Sequence, residues 1–317
     1  MYCLVAPFSK TFDDIGLIYF IPDFLMGDVE VGQIVEIPYR NNIEIAIILE
    51  IDIGIGTIKE EKIKSLIGLK HTNIFLNQKQ ISLLRWMAEY YITPIHNISS
   101  VFFPKNLLGK IENNKLETLQ TNKEYQYLSK HNIIFSPDQE TAYQNIISTK
   151  NDKVLLYGIT GSGKTEIYIK LISDMLQQGK QSLLLIPEII LTHQISKKII
   201  DVFGEDVLIL NSTVSAAVKT KYWCDIYTNK AKIIVGTRSA LFYPFQNLGI
   251  IIVDEEHDGS YISDQPPRYH VRDVVNKMSD TYGMKLILAS GTPSIQSMYD
   301  AVSGKYSLVS LLKKFKK

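Results

Sequence analysis

The sequence predicts an α/β protein: a mostly parallel sheet with helices on both faces, preceded by a smaller β-rich unit. Three observations predict it. Short apolar runs near 154–157, 183–186, 207–210, 233–235, 250–253 and 286–289 alternate with helix-like segments, as in successive βαβ units. Residues 249–253 are continuously apolar, as expected of a parallel strand buried on both sides. Between 31 and 55 the apolar residues instead alternate (Ile34, Val35, Ile37, then Ile43, Ile45, Ile47, Leu49, Ile51) around Asn41-Asn42, which reads as strands joined by a turn.

Taken in order, residues 1–104 form the β-rich unit. Near its end, residues 80–91 carry Leu83, Leu84, Trp86, Met87 and Tyr90 at helical spacing, and Pro94 stops the helix. Residues 105–131 are polar and weakly periodic, and read as a linker. Residues 132–317 form the second domain. Ser136-Pro137-Asp138-Gln139 opens it as a capping box with proline at the first helical position.

Gly158-Ile159-Thr160-Gly161-Ser162-Gly163-Lys164-Thr165 fits the Gly-x-x-x-x-Gly-Lys-Ser/Thr pattern in the required context. An apolar strand precedes it. Ile167, Tyr168, Leu171, Ile172, Met175 and Leu176 follow at helical spacing up to Gly179, a C-cap. Glycines there let backbone N–H groups curl around phosphate, Lys164 reaches terminal phosphates, and the Thr165 hydroxyl is a Mg2+ ligand. A nucleoside triphosphate is the implied ligand. Hydrolysis needs a further acidic partner, and Asp254-Glu255-Glu256-His257 supplies it at the end of a buried strand. Asp254 would hold Mg2+ and Glu255 would orient or deprotonate water.

Composition bounds the reading. The 317 residues allow about two domains. Lys and Arg total 34 against 33 Asp and Glu, so any basic surface must be local. Cys3 and Cys224 are too few for a disulfide framework or a zinc site, and read as small buried side chains of a reducing compartment. No apolar run approaches membrane-spanning length, so a cytoplasmic location is expected.

Several loop motifs occur together in the order found in superfamily-two DNA helicases. They are Phe135-Ser136-Pro137-Asp138-Gln139, the phosphate loop, Pro187-Glu188-Ile189-Ile190-Leu191-Thr192, Gly236-Thr237-Arg238-Ser239-Ala240-Leu241-Phe242, Asp254-Glu255-Glu256-His257-Asp258 and Ser290-Gly291-Thr292-Pro293-Ser294. Arg268-Tyr269-His270 with Arg272-Asp273, and Trp86-Met87-Ala88-Glu89-Tyr90-Tyr91 with Pro94-Ile95, resemble the PriA-like replication-restart helicases. The resemblance implies a RecA-like ATP-binding domain behind a 3′ DNA-end-binding domain, with ATP and Mg2+ as ligands. It implies DNA partners (forks, single strands and 3′ ends), and primosome proteins with the replicative helicase loader as protein partners. Gln139 resembles the glutamine that reads adenine, a role compatible with capping. Arg238 and Ser239 would touch DNA phosphate, and Arg268 and Tyr269 belong to a loop that tracks single strands. At the N-terminus two alignments compete for the element that grips a 3′-terminal nucleotide, one giving Phe12-Asp13 and the other Tyr19, with Lys64 resembling the family's later lysine. His257 reads equally as a relay of nucleotide state and as a hydrogen-bonded loop histidine.

Departures accompany the likeness. Pro266-Pro267 and Ile262-Ser263 replace the family's usual elements, and Gly291 replaces an alanine, which would loosen that segment. The winged helix of the family has no room between Tyr91 and Gly158, and the second motor lobe and zinc region of the family are expected to be missing from this chain. Nucleotide binding with slow hydrolysis and negligible unwinding is therefore expected. Two other classes stay open: a non-motor DNA-end-binding module, or an inactive gene fragment with a vestigial ATP site.

Overall fold

The computed structural model describes residues 1–10, 15–116, 119, 122–128, 134–188 and 195–314. Two sheets organise these residues. The first is antiparallel, built from β1 (Tyr2–Pro7), β2 (Leu17–Phe20), β3 (Ile34–Tyr39), β4 (Asn42–Ile51) and β5 (Gly68–Leu69) in the order β2-β1-β4-β3-β5. β3 and β4 meet through a two-residue turn, with Tyr39 opposite Asn42. Arg40 takes the left-handed φ of 54° that such a turn requires. The alternation in β4 divides its side chains between two cores. Ile45, Ile47 and Leu49 face α1 (Gln78–Tyr90) and α2 (Ile95–Val101), whereas Ala46 and Ile48 join Cys3, Val5, Tyr19 and Ile37 on the other side. α1 starts from a complete capping box: Asn77 Oδ1 accepts from the Gln80 N–H, and Gln80 Oε1 accepts from the Asn77 N–H at 2.8 Å.

The described residues of the 105–131 stretch are not a free tether. Residues 105–112 form α3 (Lys105–Glu112), with Leu107 and Ile111 buried. Tyr125 donates to Asp225 Oδ2 at 2.6 Å, Tyr127 accepts from the Lys232 N–H at 2.7 Å, and Lys123 pairs with Asp206 at 2.6 Å. Polar composition concealed a strap whose order comes from tertiary contacts rather than from its own periodicity.

The second sheet is parallel and seven-stranded. Its strands are β6 (Lys153–Gly158), β7 (Gln181–Leu185), β8 (Leu208–Leu210), β9 (Ile233–Gly236), β10 (Leu248–Asp254), β11 (Lys285–Ser290) and β12 (Ser307–Leu311), in the order β12-β6-β11-β10-β7-β9-β8. The connecting helices are α4 (Pro137–Ser148), α5 (Lys164–Gln177), α6 (Ile195–Phe203), α7 (Ala216–Tyr227), α8 (Val271–Tyr282) and α9 (Ile295–Val302). Successive residues of the central strands enter opposite cores: Ile251 and Val253 one, Ile250 and Ile252 the other. The mostly parallel, helix-covered sheet behind a β-rich unit is thus observed, with β12 as an edge strand that the sequence pattern did not reveal.

One apolar core runs across the domain boundary. Trp223 of α7 is fully buried, stacks on Phe103 with centroids 5.7 Å apart, and donates its indole N–H to the Phe102 carbonyl at 2.8 Å. Phe102 packs on Phe242 at 5.4 Å. Between α1 and α8, the Tyr91 hydroxyl accepts from the His270 N–H at 3.2 Å, and Lys79 Nζ donates to the Tyr282 carbonyl at 3.0 Å. Such contacts hold the two sheets as one body.

Candidate nucleotide and nucleic-acid sites

β6 and β10 are separated by the single strand β11, since Ala289 pairs with both Leu156 and Asp254. Their carboxyl ends are therefore about 10 Å apart, close enough for side chains to meet across the gap. There they form one pocket lined by Ile159, Thr160, Gly161, Gly163, Lys164, Thr165, Asp254 and Glu255. Lys164 Nζ donates to the Gly158 carbonyl at 2.8 Å and lies 3.3 Å from Glu255 Oε1. Gly161 and Gly163 take left-handed φ values of 79° and 87°. Open space lies where a Cβ of Gly161 would project. The Ser162 hydroxyl, buried in the loop, has no hydrogen-bond partner among the described residues. A left-handed glycine loop, an unpaired hydroxyl, a lysine and two carboxylates are a donor set that fits a nucleotide phosphate with its cation.

Asp254 is almost fully buried. Burial raises its carboxyl above the usual carboxylate range, while the Tyr168 hydroxyl, 2.8 Å from Oδ1, opposes that rise. Glu255 follows at φ 45°, an uncommon conformation for a residue with a side chain, and one that accumulates at functional sites. His257 Nδ1 is 2.8 Å from Ser290 Oγ, and Nε2 is 3.3 Å from Thr292 Oγ1. It thus bridges the acidic motif and the Ser-Gly-Thr segment. Glu256 accepts from the Ser294 N–H at 2.7 Å and from the Ser297 hydroxyl at 2.9 Å, tying the same motif to the start of α9.

Gln139 occupies a different position from an open adenine reader. Its side chain is fully buried, Oε1 accepts from the Ser136 N–H at 2.9 Å, and Nε2 donates to the Gly163 carbonyl at 3.2 Å. Both ends of the amide are committed, so Gln139 buttresses the phosphate loop from behind. The capping reading accounts for its geometry.

A second, polar cleft lies between the carboxyl ends of β7, β8 and β9, lined by Glu188, Asn211, Ser212, Lys219, Thr237, Arg238 and Ser239. Arg238 donates to the carbonyls of Ser260 and Ile262, which ties this cleft to the loop after the acidic motif. Asn211, Ser212 and Lys219 were not singled out from sequence; only their position after a strand of a parallel sheet could have suggested them. Ile189 to Thr192 lie outside the described residues.

Arg268 is exposed, with Nε 3.3 Å from the Asp264 carbonyl. Tyr269 is not at the surface. It is 6 % exposed, packs edge-on against Phe242 at 5.1 Å, and therefore offers no free face for stacking on a base. Gly291, expected to loosen its segment, does not take a left-handed φ, and a Cβ there would meet the Gly158 carbonyl at an ordinary 3.4 Å.

The N-terminal unit has its own groove, lined by Gly16, Ile18, Tyr19, Pro38, Tyr39, Arg40, Lys62 and Lys64. Tyr19 and Lys64 converge on the Pro38 carbonyl, the hydroxyl at 3.2 Å and the ammonium at 3.5 Å. Tyr19 is itself largely buried, which pushes its hydroxyl up to about 12, so it shapes the groove wall more than it presents a ring. Phe12 and Asp13 lie outside the described residues. Arg40, held 5.3 Å over the Tyr39 ring, and Lys62 are the additions that sequence reading missed. The tight turn after Tyr39 was the available signal for Arg40. Cys3 and Cys224 are both buried and unpaired with each other, with thiols raised by burial to about 12 and about 11.

Comparison with known proteins finds two family descriptions that match different parts of the chain. A DEAD/DEAH box helicase family description matches residues 136–301, and a PriA 3′DNA-binding domain (3′BD) description matches residues 3–104. The replication restart protein PriA of Rickettsia conorii is 34 % identical over 313 residues, covering 99 % of this chain and 46 % of that protein. PriA of Helicobacter pylori is 36 % identical over 266 residues, covering 84 % of this chain and 40 % of that protein. The chain spans about half the length of the curated relatives it matches. A solved structure of the DUF1998 helicase MrfA bound to DNA and AMPPNP overlaps 61 % of the chain and 31 % of that protein, with 19 % identity and a TM-score of 0.42. Among the described residues, no helix is long and apolar enough to cross a membrane.

Proposed function

The chain belongs to the DEAD/DEAH box helicase family, and on that footing we propose that it is a PriA-like ATPase whose turnover answers to DNA. The observation that carries the proposal is the convergence of Lys164, Thr165, Asp254 and Glu255 on one pocket at the carboxyl edge of the parallel sheet. ATP is the substrate. Lys164 neutralises the terminal phosphate oxygens. Glu255 orients a water and takes its proton as the water oxygen bonds to the γ-phosphorus and the bridging oxygen departs with ADP. When bound, Mg2+ neutralises charge shared by the β- and γ-phosphates, and Thr165 and Asp254 are the residues that would hold it.

DNA is the partner on two surfaces. The cleft around Arg238 and Ser239 suits a phosphate backbone, and the loop whose Ser260 and Ile262 carbonyls Arg238 holds also carries the exposed Arg268. The groove of Arg40, Lys62 and Lys64 suits a terminal nucleotide, as the match to a 3′BD domain suggests. For the relatives' full length, the resemblance implies 3′ to 5′ unwinding at stalled forks, with primosome proteins and a helicase loader as partners in the cytoplasm.

The test is ATP turnover with and without single-stranded DNA for the wild type, Lys164→Ala and Glu255→Gln. Stimulation by DNA that both variants abolish supports the reading. Turnover indifferent to both substitutions would remove the assignment, and DNA binding without nucleotide binding would favour a non-motor end-binding module.

A further inference from the structure

Tyr168 lies one helical turn beyond Lys164 on α5, on the face that packs against the sheet with Ile167, Leu171 and Ile172. That face is otherwise aliphatic, and a phenyl ring would fill the same volume. A hydroxyl there is fully desolvated, which costs free energy unless it is bonded. Its partner is Asp254 Oδ1, at 2.8 Å. From the other side, Tyr261, also buried, donates to the Asp254 main-chain carbonyl at 2.7 Å. One tyrosine thus fixes the backbone of Asp254 and the other fixes its carboxylate. The second restraint matters because rotation about the terminal torsion of an aspartate is soft and roughly two-fold, so packing alone does not select the plane of its oxygens.

We propose that Tyr168 is a positioning residue: its hydroxyl sets the Asp254 carboxylate for the divalent cation that accompanies the nucleotide. The proposal rests on the ATP-site reading above. It follows the general behaviour of metal sites, in which groups bonded to a ligand orient it, and their loss weakens metal binding about 10- to 100-fold. Tyr168 touches neither nucleotide nor cation, and acts only through Asp254.

Tyr168→Phe removes the hydroxyl and keeps the ring. Binding of a fluorescent ADP analogue, titrated with Mg2+ and repeated in EDTA, separates metal-dependent from metal-independent affinity. The expected result is a Mg2+ midpoint raised about tenfold or more, with affinity in EDTA unchanged within about twofold. Tyr261→Phe, which loses only a bond to the main chain, should lower the melting temperature and leave the Mg2+ midpoint in place. In an Asp254→Asn background, Tyr168→Phe should produce no further shift, because its route to the metal is already cut. A Tyr168→Phe protein that melts earlier but has the wild-type Mg2+ midpoint overturns the proposal and leaves the hydroxyl a purely structural role. Should Tyr168→Phe not fold, 4-fluorophenylalanine at position 168 fills the place of the hydroxyl without offering a donor; an unmoved Mg2+ midpoint again overturns it. Failure of the ATP-site reading is distinguishable: the wild type would then bind no ADP analogue, and Lys164→Ala would look the same.

Discussion

Three glycines around the phosphate loop should respond differently to the same added methyl group. At Gly163 the φ of 87° is left-handed, and the new Cβ would lie 2.2 Å from Gln139 Nε2. The left-handed backbone costs alanine about 1–2 kcal/mol. Displacing Gln139 also breaks its bond to the Gly163 carbonyl and disturbs the capping box of α4, each contributing about 1 kcal/mol. Gly163→Ala should therefore destabilise by about 3 kcal/mol and cost roughly 100-fold in nucleotide affinity where the loop can no longer close. Gly161 has a φ of 79°, with nothing within 4 Å of the new methyl, so Gly161→Ala should cost only the backbone preference, about 1 kcal/mol. At Gly291 the backbone is not left-handed and the nearest atoms are 3.4 Å and 3.7 Å away. Gly291→Ala should be neutral or stabilise by about 0.4–1 kcal/mol through the unfolded chain. Urea unfolding gives the stabilities, and titration with a fluorescent nucleotide gives the affinities. If Gly163→Ala proves as mild as Gly161→Ala, the contact with Gln139 is not the constraint argued here; a Gly291→Ala loss above about 1 kcal/mol would equally refute the steric reasoning.

Trp223→Ala should cost about 3–5 kcal/mol, because it empties the core shared by the two sheets and leaves the Phe102 carbonyl without its donor. Wild-type unfolding followed at both units should be one transition, and two separated transitions would contradict the shared core. His270 caps α8 by accepting the Arg272 N–H on Nδ1. Burial, then the neighbouring Arg272 charge, lowers its pKa from the ordinary 6.5, although Asp273 and Glu256 pull the other way. A histidine lowered on folding contributes stability that is present above its unfolded pKa and is lost as pH falls below it, so melting temperature should drop from about pH 7 to about pH 5. His71 and His96, lowered in the same direction, keep part of that slope in a His270→Asn protein, whose asparagine still caps but does not titrate. An undiminished slope in that variant would exclude His270 as a contributor. Lys64→Ala should weaken binding of an oligonucleotide with a free 3′ end about tenfold, measured by fluorescence anisotropy, and should have little effect when the 3′ end is blocked by duplex.

The candidate nucleotide pocket was legible because the residues that form it are local in sequence. The left-handed glycines, the lysine and the helix that follows Gly163 lie within one short stretch, and the continuous apolar strand before Asp254 marks its burial without reference to the rest of the chain. Sequence order also placed the ends of β6 and β10, one leading into the glycine loop and the other ending in Asp254, on the same edge of the sheet, since every strand of a parallel sheet ends there. The strand at 286–289 was read, but its place between the other two was not. That β11 lies between β6 and β10, and so sets their spacing, is a property of the crossover connections.

What remained hidden was decided by contacts between distant residues. Tyr19 and Tyr269 resemble DNA-facing aromatics by motif, yet tyrosine carries both an apolar ring and a polar tip, and the sequence does not say which one meets solvent. Packing against Phe242 decided it for Tyr269. Tyr125 and Tyr127 are the converse: they lie in a polar stretch with no period of its own, and become structural only because Asp225 and the Lys232 main chain receive them. The same reasoning explains why Gln139 was open to two local readings and has one geometry. As a residue of a capping box it needs only Ser136, four positions of sequence, whereas its bond to the Gly163 carbonyl spans 24 residues and exists because α4 lies behind the loop. The tertiary bond joins the cap to the loop around Gly163, which is why the displacement of Gln139 expected in Gly163→Ala should disturb both at once.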